Sequence, residues 1–289
     1  MTKTFSKAVS NKFVGQPAIL NQLDLLGEEI RAGKNFNILL SAQSGYGKTR
    51  LATLFVKWAS KGHGDTQAYA YNSSITKVGK DRRFHILDEA HLIKDPEFLY
   101  PLMDSGRYTF IIVTNEYYKL KEPLRNRCHE FIFSNYTRAD LIKICKMFFR
   151  NARVSVEKWV VESIVDSLGR GVPRTVKVIS QRLSLYFKQS GVPKTRQLLE
   201  ESFRYLLDTR CGLSKIDRDY LTALNNAGGR ASLSFLSTAI SVPKEVLSEM
   251  VEPYLVSKRI VSITGRGRVL NHQNLESYLQ KFGGATNQR

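Results

Sequence analysis

The residues Ala42-Gln43-Ser44-Gly45-Tyr46-Gly47-Lys48-Thr49 stand between a short apolar run, Phe36 to Leu40, and a helical pattern that begins at Arg50. Glycines in such a loop let backbone N–H groups turn toward phosphate oxygens, and the helix that follows adds the positive end of its dipole. Lys48 is then placed for the β and γ phosphates of a nucleotide and Thr49 for a magnesium ion, with Ser44, Gly45, Tyr46, Gly47 and Arg50 as further contacts. A glycine turn that merely caps a strand is the competing explanation, and strand, loop and helix together disfavour it. The usual first glycine of the motif is Ala42 here, which is harmless if that residue keeps a negative φ.

A strand that feeds such a loop belongs to a parallel sheet covered by helices, so the expected fold class is α/β. Phe36 to Leu40, Ala68 to Tyr71, Phe84 to Leu87, Phe110 to Thr114 and Glu130 to Phe133 are five strand candidates, each too short for a helix. They place a nucleotide-binding α/β domain at residues 1–134. From Thr137 the period changes. Leu141, Ile144, Cys145 and Phe148, then Val156, Trp159, Val160, Ile164 and Leu168, follow helical spacing, with Thr137 and Ser155 as N-cap candidates. Helical stretches near Arg174 to Gln189 and Lys194 to Leu207 complete an all-helical domain at 135–210.

A third domain, 211–280, reads as helices Ser214 to Asn226 and Leu233 to Ile240, a further helix opened by Pro243, and a hairpin. The hairpin pairs Ile260 to Ile263 with Arg268 to Leu270 across Thr264-Gly265-Arg266-Gly267. Three helices and a hairpin suggest a winged helix. Residues 281–289 lack an apolar pattern and are expected to fray. No internal repeat is present.

Phe84-His85-Ile86-Leu87-Asp88-Glu89-Ala90-His91 is an apolar strand that ends in two acids. After a phosphate loop this is a strong signal: Asp88 is expected to hold magnesium through water and Glu89 to polarise the attacking water. Asp-Glu-Ala-His also occurs in helicases with two tandem motor domains, but a single such domain is present here. The strand Phe110 to Thr114 runs into Asn115, the candidate γ-phosphate sensor, with Thr114 second. Arg125, Arg127 and Arg174 lie downstream in segments whose order fits a ring ATPase, although a solvated surface is the usual fate of an arginine.

Taken in order, these residues resemble the AAA+ family and, within it, the RuvB branch-migration motors. The resemblance extends over Phe13-Val14-Gly15-Gln16, Leu99 to Asp104, Pro123-Leu124-Arg125-Asn126-Arg127, Gly171-Val172-Pro173-Arg174, Asp217-Arg218 with Tyr220-Leu221, Glu252-Pro253-Tyr254-Leu255, and Gly265 to Val269. It implies that Phe13 and Val14 border the adenine, that Pro173 and Arg174 bring a sensor arginine to the nucleotide, and that Arg127 is a finger inserted into a neighbour's site, with Arg125 the second choice. It further implies ATP and Mg2+ as cofactors, a homo-oligomeric ring of hexamer type, and DNA as partner. Two departures stand out. Only Ser105 to Tyr108 joins Asp104 to the sensor strand, where these motors carry a long partner-docking hairpin. Arg125-Asn126-Arg127-Cys128 is also similar to the arginine triplet of sliding-clamp loaders, so a clamp or helicase loader is the alternative, and a weakly catalytic scaffold a third.

The net charge of +18, from 44 Lys and Arg against 26 Asp and Glu, favours a polyanionic partner. In the winged helix the third helix carries Glu245, Glu249 and Glu252, whereas Lys258, Arg259, Arg266 and Arg268 surround the wing. Wing-led, sequence-tolerant phosphate contact is therefore expected. A protein-docking role for this domain is the competing use. The basic run Lys77, Lys80, Arg82 and Arg83 reads as a solvated loop. Cys128, Cys145 and Cys211 signal neither a disulfide framework nor a metal cluster, and the histidines lack ligand spacing. No apolar run approaches the roughly 20 residues of a membrane span, and the polar start is unlike a secretory segment, so a cytoplasmic protein is expected.

Overall fold

The apolar runs pair as five parallel strands. The computed structural model describes residues 3–60, 69–71, 79, 81–207 and 212–282; Ala68, Lys77, Lys80, Cys211, residues 283–289 and the side chains of Tyr69 and Tyr71 lie outside what it describes. Two helices, α1 (Phe5–Val9) and α2 (Pro17–Arg31), precede β1 (Ile38–Ser41). Helix α3 (Lys48–Ala59) follows the glycine loop. Then come β2 (Tyr69–Tyr71), β3 (Phe84–Leu87), α4 (Tyr100–Asp104), β4 (Thr109–Thr114), α5 (Glu122–Arg125), β5 (His129–Ile132) and α6 (Arg138–Asn151).

The strand order is β2-β3-β4-β1-β5. All described pairs are parallel, with Ser41 beside Thr114 and Leu87 beside Ile112. Every residue of β1, β3 and β4 is buried, as a strand covered on both faces requires. Because the strands are parallel, the C-terminal ends of β1, β3 and β4 share one edge. There the strand order reverses around β1, the place where open α/β sheets bind ligands.

Chain contacts divide the protein into two units, Met1–Met147 with Gly171–Thr175, and Phe148–Arg170 with Val176–Arg289. The second unit contains α7 (Lys158–Leu168), most of α8 (Pro173–Ser190) and α9 (Arg196–Leu207). It continues through α10 (Lys215–Asn226), β6 (Arg230–Ala231), α11 (Leu233–Ile240), α12 (Lys244–Val246), α13 (Glu252–Ser257), β7 (Val261–Thr264), β8 (Gly267–Leu270) and α14 (His272–Phe282).

Thr137 caps α6 as expected, exchanging hydrogen bonds with Asp140. Ser155 does not cap α7: the helix begins at Lys158, and Glu157, the residue before it, accepts from the Trp159 indole at 3.0 Å. Two features exceed the sequence reading. The wing is three-stranded, since β6 pairs with β8 ahead of the hairpin. Helix α14 extends to Phe282, beyond the point where fraying was expected.

Between α12 and α13 the chain makes one π-turn, Leu247–Val251. Pro253 explains it, because a residue without an N–H cannot continue the ordinary α-ladder. The winged-helix core gathers Tyr220, Leu224, Leu236, Leu247, Leu255, Ile260 and Leu270. In the first unit, α2 meets α3 so closely at Gly27 that an added Cβ would lie 2.4 Å from Trp58 Cζ3. Overpacking of this kind is unfavourable by about 1–3 kcal/mol. Gly27→Val should therefore lower the midpoint of urea unfolding by that equivalent, and an unchanged midpoint would refute this packing.

Candidate functional site

The glycine loop turns sharply between β1 and α3. Gly45 and Gly47 have φ of +86° and +91°, a region that favours glycine. An added Cβ at Gly45 would meet Arg174 Cβ at 2.8 Å and Val172 Cγ1 at 2.9 Å. Ala42 is not among the residues with positive φ, so its substitution for glycine is accommodated. Its N–H donates to Thr114 O at 3.3 Å and ties the start of the loop to the end of β4.

Lys48 is 6% exposed and opens α3. Its Nζ donates to Ala42 O at 2.7 Å and Gln43 O at 3.1 Å, folding the ammonium across the loop. Burial pulls its pKa below the ordinary lysine value, against the opposing pull of the Glu89 and Asp88 carboxylates. Thr49 Oγ1 donates to Asp88 Oδ2 at 2.9 Å, so the two expected metal-holding side chains, read from positions far apart in sequence, meet. A hydroxyl and a carboxylate beside a phosphate loop are hard oxygen donors of the kind magnesium takes. Arg174 Nη1 donates to Ser44 Oγ at 3.1 Å, and its backbone N–H to Gly45 O at 3.2 Å. The sensor candidate thus borders the loop, with Pro173 as the first residue of α8.

Glu89 follows Asp88 at the end of β3 with φ +49°, a conformation uncommon for a residue with a side chain. Its backbone N–H donates to Asp88 Oδ1 at 3.1 Å, and its Oε2 is buried without a hydrogen-bond partner. Thr114 is fully buried, whereas Asn115 is exposed. Phe13 is buried beneath the loop, its ring 3.3 Å from where a Gly47 Cβ would stand and edge-on to Phe133. Val14 is half-buried beside it. Tyr46 is buried, its hydroxyl on Asn135 Oδ1 at 3.0 Å. Arg50 turns away from the loop and donates to Lys12 O at 3.0 Å.

Two residues that sequence reasoning missed complete this region. Tyr136 donates to Tyr46 O at 2.9 Å and packs edge-on against the Tyr46 ring; burial pushes its pKa well above the usual phenol value. Gln16, 4% exposed and with φ +57°, exchanges hydrogen bonds with the Ser134 backbone. Neither belongs to a local motif, although the Phe13 to Gln16 string contained one of them.

Arg127 lies apart from this cluster. Its Nε meets Asp104 Oδ1 and Oδ2 at 2.9 and 3.1 Å, its Nη1 meets Pro123 O, and its guanidinium stacks on Tyr100. Arg125 stacks on Tyr117 instead and has a buried Nε without a partner. The neighbouring Cys128 thiol is pushed up to about 12 by burial, which leaves it protonated and unreactive. Arg83 corrects the reading of a solvated basic run: its guanidinium holds Asn35 Oδ1 and the carbonyls of Ile30 and Lys34.

The wing also requires a correction. Arg268 forms a fork with buried Glu252, Nε to Oε1 at 2.7 Å and Nη2 to Oε2 at 3.1 Å, while Tyr220 donates to the same Oε1 at 2.9 Å. Arg268 is therefore committed to the core, and Glu252 presents no charge to a phosphate. Gly267 likewise serves packing, since a Cβ there would stand 2.6 Å from Ala231 O, whereas Gly265 faces open space. Lys258, Arg259 and Arg266 remain exposed. Removing one partner of a buried pair is unfavourable by about 3 kcal/mol, and exposed sites change by about 0.5 kcal/mol or less. Urea unfolding should thus separate Arg268→Ala, strongly destabilised, from Arg266→Ala, unaffected; equal stabilities would refute the assignment.

The RuvB C-terminal winged helix domain matches residues 210–279. The Holliday junction branch migration complex subunit RuvB of Mycoplasma genitalium is 25% identical, covering 94% of this chain and 96% of the relative. Its counterpart from Corynebacterium aurimucosum is 27% identical over 95% of this chain and 86% of the relative. Among solved structures, the Thermotoga maritima RuvB Holliday junction branch migration motor superposes with a TM-score of 0.72, at 23% identity, over 92% of this chain and 95% of that one. Among the described residues no helix is long and apolar enough to cross a membrane. With a glycine loop on β1, an acidic pair on β3 and a C-terminal segment that matches the RuvB winged helix domain, the chain is similar to RuvB proteins over nearly its whole length and shares their α/β fold.

Proposed function

We propose that this chain hydrolyses ATP to move duplex DNA or to branch-migrate DNA junctions, working as a homo-oligomeric ring, of hexamer type, whose sites are completed by a neighbouring subunit. The observation that carries this reading is the meeting of Thr49 with Asp88 at 2.9 Å beside the buried Lys48, with the exposed Arg174 on Ser44 of the same loop. Lys48 and the loop amides bind the phosphates, and Phe13 with Val14 packs against the adenine. Thr49 and Asp88 hold the magnesium ion, which when bound offsets negative charge on the phosphate oxygens. Glu89 polarises the water, Asn115 senses the γ-phosphate, and Arg174 adds positive charge from the start of α8.

Arg127 suits a role in trans. Asp104, Pro123 and Tyr100 set its orientation without burying it: the side chain is 31% exposed. The branch-migration assignment draws on the RuvB relatives, which are branch migration subunits and cover nearly the whole chain. A loader that remodels a protein ring on DNA is the second reading, favoured by the direct passage from α4 through Ser105–Tyr108 into β4.

On DNA, Lys258, Arg259 and Arg266 supply phosphate contact. Affinity of Lys258→Ala with Arg266→Ala for duplex DNA should fall and its salt dependence flatten. Unchanged affinity would transfer this domain to protein docking. The trans arrangement has a direct test. Glu89→Gln and Arg127→Ala should each abolish ATP turnover alone, and mixing the two proteins should restore part of it. Such mixtures contain sites with an intact Glu89 facing an intact Arg127. A mixture as inactive as its components would contradict completion of the site by Arg127.

A further inference from the structure

His91 has no part in the chemistry described so far. It sits on a single 3-10 turn, Ala90–Leu92, directly after the acidic pair, with a side chain only 4% exposed. Its Nδ1 is 3.1 Å from Thr114 Oγ1 and 3.6 Å from Glu89 Oε2, and its Nε2 is 3.6 Å from Glu116 Oε1. One imidazole therefore stands between the end of β3 and the end of β4, with a carboxylate on either side.

Two observations concern what this ring is for. Glu89 Oε2 is buried and lacks a hydrogen bond, although the side chain as a whole is 45% exposed. A buried carboxylate oxygen normally finds a donor, and the imidazole faces it a few tenths of an ångström beyond hydrogen-bond length. Thr114 Oγ1 accepts the Glu116 N–H at 3.0 Å, which fixes the hydroxyl that anchors the ring. With the proton on Nδ1, the ring is a donor toward Thr114 and Glu89. With it on Nε2, the Thr114 hydroxyl donates to Nδ1 and the ring faces Glu116.

We propose that His91 is a positioning residue for Glu89: anchored on Thr114, its ring sets the carboxylate relative to the end of β4 that leads into Asn115. This rests on the reading of Glu89 as the group that polarises the attacking water. His91 makes no contact with substrate under this assignment. Its loss should then lower kcat and leave nucleotide affinity alone, because a misplaced catalytic group slows the chemical step by on the order of 10- to 100-fold.

The experiment compares ATP turnover, binding of a fluorescent ATP analogue with magnesium, and thermal melting for wild type, His91→Ala, His91→Asn and Glu89→Gln in the full chain. The expected result is an inactive Glu89→Gln and a His91→Ala protein with reduced kcat, wild-type analogue affinity and a retained melting transition. His91→Asn, whose amide can replace the Nδ1 contact, should recover part of kcat. With Glu89→Gln inactive, a His91→Ala protein that turns over like wild type overturns the proposal. So does a joint loss of kcat and nucleotide affinity that His91→Asn does not relieve, since that marks a structural role only. A Glu89→Gln protein that still hydrolyses ATP overturns the underlying reading, and this proposal with it.

Discussion

The turn from β1 into α3 governs the rest of the first unit. Its two glycines adopt left-handed φ, its lysine is buried against its own carbonyls, and an arginine from the start of α8 closes over Gly45 and Ser44. The turn leaves β1 inside the sheet, where β4 and β5 flank it in parallel register. The same register brings Thr114 beside Ser41, so the ends of β3 and β4 arrive where the loop opens. Fold and chemistry are here one constraint: move β1 to the sheet edge and Thr49 loses Asp88.

In the second unit the organising interaction is the buried Glu252 carboxylate. Arg268 and Tyr220 satisfy it from β8 and α10, and the Tyr220 hydroxyl is held well above its usual pKa by burial and by that carboxylate. Asp217, fully buried, closes the capping box of α10 with Ser214 and also receives the guanidinium of Arg170. Two buried acids thus fix helix, strand and wing together. The wing can present Lys258, Arg259 and Arg266 outward because Arg268 is turned inward.

Much of this was legible in the sequence, and the failures are instructive. Strands β1, β3 and β4 were placed to within a residue or two because a buried parallel strand is a continuous apolar run with little else to confuse it. The glycine loop and the acidic pair at the end of β3 are legible because each is a local string of residues. Arg268 was misread because a wing-tip arginine and an arginine that neutralises a buried glutamate look alike until the glutamate's burial is known. Arg83 was misread for the same reason, its carbonyl partners lying far away in sequence. Tyr136, Gln16 and the role of His91 depend on distances between separate elements, which no local pattern encodes. Ser155 lost the capping position to Glu157 because the helix starts later than the apolar period does.

Under the proposed function, nucleotide hydrolysis at the Lys48–Asp88–Glu89 cluster drives movement on DNA. The direct measurement is dissociation of a synthetic four-way junction by the purified chain with ATP and magnesium, with the assembled mass recorded under the same conditions. The expected result is ATP-dependent conversion of the junction to duplexes by a multisubunit assembly, with none in Lys48→Ala. ATP turnover that proceeds without any junction movement, and is indifferent to added DNA, would contradict it and identify a loader or recruiter instead.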